Sequence, residues 1–573
     1  MTTAAALSRD LLLDFLTDQG VEFIFGNPGT TELPLVDACD AHPSIRYVLS
    51  LHEDVAVAQA TGYARASGKI GVVNLHVAPG LAHGLGNLYN AFRARVPLLV
   101  TAGQQHTGLM IQDPILTADL AGMMRPFTKW AYEVTRLDQL PIALQRAFKE
   151  LTTPPYGPVF LSFPMNLLLE EHVGFPAARV SKVAAVQPDQ SGIDEAAAVL
   201  TAAAAPMIIS GDGVGHAGAW DEVVQLAEAV GASIYTEGYS TLWNCPGGHP
   251  LFRGPMPNLP TDMRNRFDDV DTVLLCGVTS QSPVSRYDDG GPLVPWRLRI
   301  VAVDDSPWEV GKNHPVEVGL VGDVKSSLAR ILTAVRRTPV AEADLAPRTE
   351  AVRTASAERV RTWASKVESA RTAGTISPTL VAAELRDVLP AGSVFVDETI
   401  SNRPSFVNVL RFDDPLSYFA ANGLSLGYSA GVAVGIKMAL PQRRVVNVVG
   451  DGSLMYYPQA LWNAAHEETP VLFVVLNNGE YRVLKMITDR MGGPWGGSTE
   501  MPVSLNIEKP AIDFVALARS LGVEAERVST PAELRPALSR GIEAKQPYLV
   551  EVVVEQTYRE TAAPRRPDGK EHR

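Results

Sequence analysis

Cysteine is nearly missing from this sequence of 573 residues, which has only Cys39, Cys245 and Cys276. So few and so scattered, they form neither a disulfide framework nor a Cys-x-x-Cys metal site, and they read as buried thiols in a reducing compartment. Long apolar runs are missing too. None reaches the length of a membrane span, and the opening MTTAAALSRDLLLDFLTDQG breaks its apolar residues with an arginine and aspartates at helical spacing, unlike a secretory leader. A soluble, cytoplasmic protein is the expectation. Positive charge is also short, with 50 Lys and Arg against 63 Asp and Glu, a formal net charge of -13 and no basic block. That excludes an extended nucleic-acid or anionic-membrane surface and leaves small molecules as the expected partners. Apolar residues are plentiful at 46%, enough for the cores of three or four domains.

Short apolar runs alternate with amphipathic stretches along most of the chain, the pattern of parallel sheets flanked by helices. In the first part, strands are expected at residues 21–25, 46–51, 71–75, 98–102 and 159–163, with helices over 53–67 and 80–93 between them. A polar stretch at 175–189 reads as a linker. The pattern restarts with strands at 207–210, 272–276 and 299–303, and again, after a charged and partly helical boundary at 339–375, with strands at 394–396, 445–449, 471–476 and 548–554. The fold class is therefore α/β, three tandem doubly wound domains with mostly parallel sheets, spanning 1–178, 190–340 and 365–558, followed by a polar tail at 559–573.

The third domain carries the most specific signal. In VVNVVGDGSLMYYPQALWNAAHEETPVLFVVLNNGEY, an apolar strand runs into Gly450-Asp451-Gly452-Ser453, and a later apolar strand ends in Asn477-Asn478-Gly479. Both turns fall at strand C-termini, the edge at which open parallel sheets bind ligands. The glycines let backbone approach a phosphate closely, and a following helix would add N–H groups and a favourable dipole. Asp451 and Asn478 supply the hard oxygens that Mg2+ prefers when phosphates complete its shell.

This order of strand, GDG, helix, strand and NN resembles the diphosphate-binding motif of the thiamine-diphosphate enzymes. The resemblance implies thiamine diphosphate and Mg2+ as cofactors. It makes Asp451, Asn478 and the Glu480 carbonyl the metal ligands, with Gly450, Gly452, Ser453 and Tyr481 beside the diphosphate. Thiamine chemistry also needs a carboxyl on the pyrimidine nitrogen N1', so that the neighbouring amino group can take the thiazolium C2 proton. Glu53, after one strand and at the start of a helix of small residues, suits that task.

Around Glu53 stand Gly26-Asn27-Pro28-Gly29-Thr30-Thr31-Glu32 after the first strand and Asn74-Leu75-His76 after the third, all at strand C-termini. With TAGQQ at 101–105, these loops resemble the GNPG-S-x-E, Gln-Glu and Asn-Leu-His segments of benzoylformate decarboxylases. The likeness covers essentially the whole chain and is strongest in the first and third domains. It implies a 2-oxo acid decarboxylase giving an aldehyde and CO2, with possible carboligase side activity, in which Thr30 holds the substrate carboxylate and His76 moves protons. It also implies sites between two subunits, so a dimer, or a dimer of dimers making a homotetramer. Asn422–Tyr428 resembles the segment beneath the cofactor, with Leu426 as the wedge between its rings, and Glu398 and Thr399 are expected against diphosphate or pyrimidine.

Several departures keep other readings open. The second catalytic histidine of benzoylformate decarboxylases lies in the middle domain, where this chain reads GVTSQSPVSRYDDGGP and offers Ser282, Ser285, Arg286 and Tyr287 instead. Arg482 can meet a second anionic group of the substrate or simply start a helix at the surface. Gly211-Asp212-Gly213-Val214-Gly215 can cradle a nucleotide or pack as a tight turn. An acetolactate-synthase-like carboligase or 2-hydroxyacyl lyase would use the same cofactor residues. A flavin-linked 2-oxo acid oxidase would need the middle domain to hold FAD, and a non-catalytic cofactor-binding subunit would need no turnover at all.

Overall fold

The structure is a computed structural model that describes residues 6–172, 179–279, 291–491 and 501–555. The four serine, arginine and tyrosine candidates at 282–287 and the tail at 559–573 lie outside the described residues.

Three six-stranded sheets, all parallel, follow one another along the chain. The first comprises β1 (Phe23–Gly26), β2 (Arg46–Leu49), β3 (Gly71–Leu75), β4 (Leu98–Gln104), β5 (Trp130–Glu133) and β6 (Val159–Pro164), in the spatial order β2-β1-β3-β4-β6-β5. The middle sheet has β7 (Pro206–Ser210), β8 (Ser233–Thr236), β9 (Phe252–Pro255), β10 (Thr272–Cys276), β11 (Arg299–Asp304) and β12 (Val318–Val321), ordered β9-β8-β7-β10-β11-β12. The third has β13 (Val394–Glu398), β14 (Tyr418–Ala420), β15 (Val445–Gly450), β16 (Val471–Asn477), β17 (Glu524–Val528) and β18 (Tyr548–Val553), ordered β14-β13-β15-β16-β18-β17. The first and third sheets share one topology. The middle sheet has the order familiar from dinucleotide-binding folds.

The central strands follow from their composition. Both faces of a parallel sheet are covered by helices, so central strands are continuous apolar runs, and Val445 to Val449 is buried throughout. The expected helix over 80–93 is two helices, Val77–His83 and Leu85–Arg93, joined at Gly84. The charged boundary holds a 31-residue helix, Glu342–Thr372, much longer than its composition suggested.

The first and third sheets meet through two helices, Glu53–Ser67 and Tyr428–Ala439. Their backbones touch because both carry glycine at the crossing. A Cβ on Gly435 would fall 1.9 Å from the Gln59 carbonyl oxygen, and one on Gly62 would fall 2.2 Å from that of Val432. The helix that starts with Glu53 is thereby fixed against the helix that follows Leu426. Among the described residues, no helix is long and apolar enough to cross a membrane.

Candidate active site at the sheet edges

At the end of β15, the Asp451 carboxylate organises both motif turns of the third sheet by its own hydrogen bonds. Oδ1 accepts the Gly452 N–H at 2.8 Å, and Oδ2 accepts those of Asn478 and Gly479 at 3.1 and 2.7 Å. The GDG turn and the NNG turn are thus held together by one side chain. Burial is the main influence on this carboxyl and pushes it up to about 6, against the pull of those three N–H groups. The helix after GDG has only four residues, Asp451–Leu454, so the dipole expected there is small and the turn N–H groups themselves carry the site's polarity.

A cofactor diphosphate fits these residues. A Cβ on Gly450 would meet nothing nearer than Ser453 Oγ at 3.9 Å, so the turn leaves open space for a ligand. Gly452 by contrast lies under the Tyr481 ring, whose Cε1 would be 2.7 Å from a Cβ there. Among the described residues, no cluster of three or more His, Cys, Asp or Glu is arranged to hold a metal unaided. One carboxylate, one amide oxygen and a backbone carbonyl would leave phosphates and water to complete the shell, which is the habit of Mg2+ rather than of a metal held in an all-protein cage.

Glu398 and Thr399, at the end of β13, are buried and already engaged. The Glu398 carboxylate accepts the N–H groups of Gly427 at 2.7 Å and Ser429 at 2.8 Å, filling the N-terminus of the Tyr428 helix. Thr399 donates its hydroxyl to Asp397 Oδ1 at 2.7 Å. What Glu398 positions directly is the loop that presents the half-buried Leu426. Arg482 is neither a surface residue nor open to solvent. Its side chain is 3% exposed, donates to the Glu555 carbonyl at 3.0 Å and lies near Glu480, which also pairs with Lys485.

On the first sheet, Thr30, Glu53 and His76 all lie at strand C-termini. Thr30 is exposed, while the His76 ring sits against Gly29, where a Cβ would overlap Nδ1 at 2.1 Å. Val77, buried and β-branched, holds φ at 39°, a strained turn that swings the chain into the Val77–His83 helix directly after His76. Gly80 in that helix lies between the two functional groups. A Cβ on it would stand 3.2 Å from both Glu53 Oε1 and His76 Cβ.

Sequence reasoning missed two parts of this site. Glu32 was visible only as the last letter of a motif, yet its carboxylate accepts from the N–H groups of Gly29 at 3.0 Å and Gly103 at 2.7 Å, from the Thr31 hydroxyl at 2.8 Å, and from His76 Nδ1 at 2.7 Å. Against the ionised carboxylate that two backbone N–H groups and a hydroxyl suit, Nδ1 of His76 is the ring nitrogen that carries the hydrogen, and Nε2 is the one left for chemistry. The second omission is the group around Glu53: His52, Asp54, His83 and, from the third domain, Tyr457. His52, next to Glu53 in the chain, was the available signal.

Comparison with known proteins agrees with this geometry. The N-terminal TPP binding domain of thiamine pyrophosphate enzymes matches residues 8–118, their central domain 193–331 and their C-terminal TPP binding domain 402–552. The chain belongs to the thiamine pyrophosphate enzyme family, and its cofactor is thiamine diphosphate. It is 31% identical over 548 residues to benzoylformate decarboxylase of Pseudomonas aeruginosa, covering 94% of this chain and 97% of that protein. It is 27% identical over 555 residues to the acetolactate synthase isozyme 3 large subunit of Escherichia coli, covering 93% and 92%. Among solved structures, the 4-hydroxybenzoylformate decarboxylase of Rhodococcus jostii RHA1 superposes with a TM-score of 0.83 at 27% identity, covering 96% of this chain and all of that one. Benzoylformate decarboxylase of Polynucleobacter necessarius does so with a TM-score of 0.84 at 26% identity, covering 96% and 99%.

Proposed function

We propose that this protein is a thiamine-diphosphate- and Mg2+-dependent decarboxylase of a 2-oxo acid, releasing CO2 and an aldehyde, with its active site completed by a second copy of the chain. The observation that carries this reading is the arrangement of Glu53 and His76 on either side of Gly80, with His76 oriented by a buried carboxylate. When bound, thiamine diphosphate supplies the electron sink for loss of CO2.

The chain's residues supply the rest. Asp451, Asn478 and the Glu480 carbonyl would hold Mg2+, and the metal would bind the cofactor's diphosphate. Leu426, on the loop that Glu398 fastens, would pack against the bound cofactor. Glu53, its side chain largely shielded from water, would hold a proton for exchange with the pyrimidine nitrogen of the bound cofactor. Thr30 donates its hydroxyl to the substrate carboxylate, and His76 delivers a proton from Nε2, its Nδ1–H anchored on Glu32.

The carboligase reading is kept as a second one, because the acetolactate synthase relative spans the same length and the middle-domain segment offers no histidine. The flavin-linked reading has less support. At the switch point between β7 and β10, where a dinucleotide phosphate would sit, a Cβ on Gly213 would fall 2.5 Å from Gly277 Cα, so backbone fills the crevice among the described residues. Asp212, which begins the helix there, is consumed by the N–H groups of Thr241 and Leu242.

The test is a panel of aromatic, branched and dicarboxylic 2-oxo acids with the cofactor-loaded protein, following CO2 and aldehyde together. Matched release of both is expected from at least one substrate class. CO2 without aldehyde but with a 2-hydroxy-ketone product would establish the carboligase instead, and no CO2 from any 2-oxo acid would overturn both.

A further inference from the structure

The Glu53 carboxyl has two oxygens in different surroundings. Oε2 lies 3.3 Å from Nδ1 of His83, the last residue of the Val77–His83 helix. Oε1 is the oxygen beside Gly80, next to His76, and has no hydrogen bond among the described residues. Glu53 is nearly buried, its side chain 11% exposed, whereas that of His83 is 59% exposed.

The histidine is itself braced. Its ring centroid is 5.6 Å from that of His52, whose own ring is 4.8 Å from Tyr457 of the third domain. His52 cannot swing away, because its Nδ1 accepts the Asp54 N–H at 3.1 Å as cap of the Glu53 helix. A row of three rings thus runs from the third domain to the activating carboxyl.

We infer that His83 is a positioning residue for Glu53: its Nδ1–H pins Oε2, leaving Oε1 as the oxygen that exchanges a proton with the cofactor's pyrimidine nitrogen. The inference rests on the reading of Glu53 as the activating carboxyl. An unpinned carboxyl rotates freely about its last torsion and presents either oxygen in many orientations, whereas proton exchange needs one oxygen in one place. The residue type suits the task. A lysine or arginine here would hold Glu53 as a carboxylate and oppose its sharing of a proton, but a neutral imidazole donates one hydrogen bond without adding charge. His83 meets Oε2 whereas Gly80 and His76 stand by Oε1, so the two histidines divide the work: His76 faces substrate chemistry, and His83 fixes the activating group.

Two measurements test this. In the apo protein with 15N-labelled histidine at alkaline pH, His83, assigned by its loss in His83→Asn, is expected as the Nδ1–H tautomer, reverting to the Nε2–H form in Glu53→Ala. An Nε2–H tautomer in the native chain, or no change in Glu53→Ala, would overturn the proposal. In the cofactor-loaded protein without substrate, deuterium exchange at thiazolium C2 is expected to slow about tenfold in His83→Leu, the order of one lost hydrogen bond. Thiamine diphosphate affinity should stay within about twofold, and His83→Asn, which keeps an amide donor, should restore most of the rate. Native exchange in His83→Leu alongside abolished exchange in Glu53→Gln would sink the role of His83 and leave Glu53 standing. Native exchange in Glu53→Gln would instead remove the reading on which the inference rests.

Discussion

His76 and Glu32 stand 2.7 Å apart, ring Nδ1 to carboxylate Oε2, in a pair whose acidic member has no exposed side-chain surface. Glu32→Gln keeps the size but offers one acceptor oxygen and an NH2 group to four donors, so at least one backbone N–H or the ring loses its partner. The imidazole is then free to turn or to adopt the other tautomer. Turnover is expected to fall by about 100-fold, the scale of a misplaced general acid, with thiamine diphosphate affinity unchanged. Steady-state kinetics beside a cofactor titration check this, and an unaltered kcat would show that His76 needs no such anchor.

Asp54, the neighbour of Glu53, gives a pH prediction. It is fully buried, and burial pushes its carboxyl up to about 6, with the Tyr457 hydroxyl and the Asn87 N–H pulling the other way. The unfolded chain releases this proton near pH 4, so between about pH 4 and 6 the folded form binds more protons than the unfolded one. Its contribution to stability is therefore full below about pH 4 and is lost as pH rises through about 6, by on the order of 3 kcal/mol. Asp54→Asn can still accept the Asn87 N–H without carrying charge. Its stability relative to the native chain is expected to rise across that window and to exceed it at pH 7.5. Parallel denaturation curves for the two proteins from pH 4 to 7.5 would contradict the assignment.

The contact between the Glu53 and Tyr428 helices depends on glycine at the crossing. In Gly435→Ala the new methyl would meet the Gln59 carbonyl at 1.9 Å, a backbone atom that cannot move without its helix. A loss of about 1–3 kcal/mol is expected, as for other overpacked cores, together with weaker cofactor binding because the helix opened by Glu53 and the helix after Leu426 are both displaced. Thermal denaturation and a cofactor titration read the two effects. A variant with native Tm and native affinity would show that the helices part without consequence.

How much of this was legible beforehand depended on whether a feature is local. Central strands such as β15 and β16 announced themselves because a doubly covered strand must be apolar throughout. Edge strands such as Trp130–Glu133 and Glu524–Val528 carry polar residues, and Tyr418–Ala420 is only three residues long, so none of them was expected from sequence. The turns at Asp451 and Asn478 were legible because a short motif encodes them. Glu398 shows the limit: its place at a strand end was correct, but that its carboxylate would fill a helix N-terminus 29 residues later depends on a fold-level contact. His83 was hidden for the same reason, since nothing in its own neighbourhood of sequence points to Glu53, 30 residues earlier. Of the two readings of Arg482, the surface one fails: a charged residue at a helix start is usually solvated, whereas here the segment just after β18 lies across it.

The Asp451 turn yields the last prediction. If Asp451 and Asn478 hold Mg2+ and the metal holds the diphosphate, then metal and cofactor must tighten each other's binding by the same factor, about 5- to 150-fold for couplings of this kind. Removing divalent metal should weaken thiamine diphosphate by that factor in the native chain. In Asp451→Ala the coupling should vanish, leaving an affinity indifferent to Mg2+. Because Asp451 also ties down the N–H groups of Asn478 and Gly479, that variant alone would confuse a lost ligand with a loosened turn. Asn478→Asp separates the two. It keeps an oxygen for the metal and an acceptor for the Glu480 N–H, so coupling should persist, whereas Asn478→Ala should lose it with the Asp451 hydrogen bonds intact. Calorimetric titration of thiamine diphosphate at several Mg2+ concentrations distinguishes these cases, and a cofactor affinity independent of metal in the native chain would refute the ligand set.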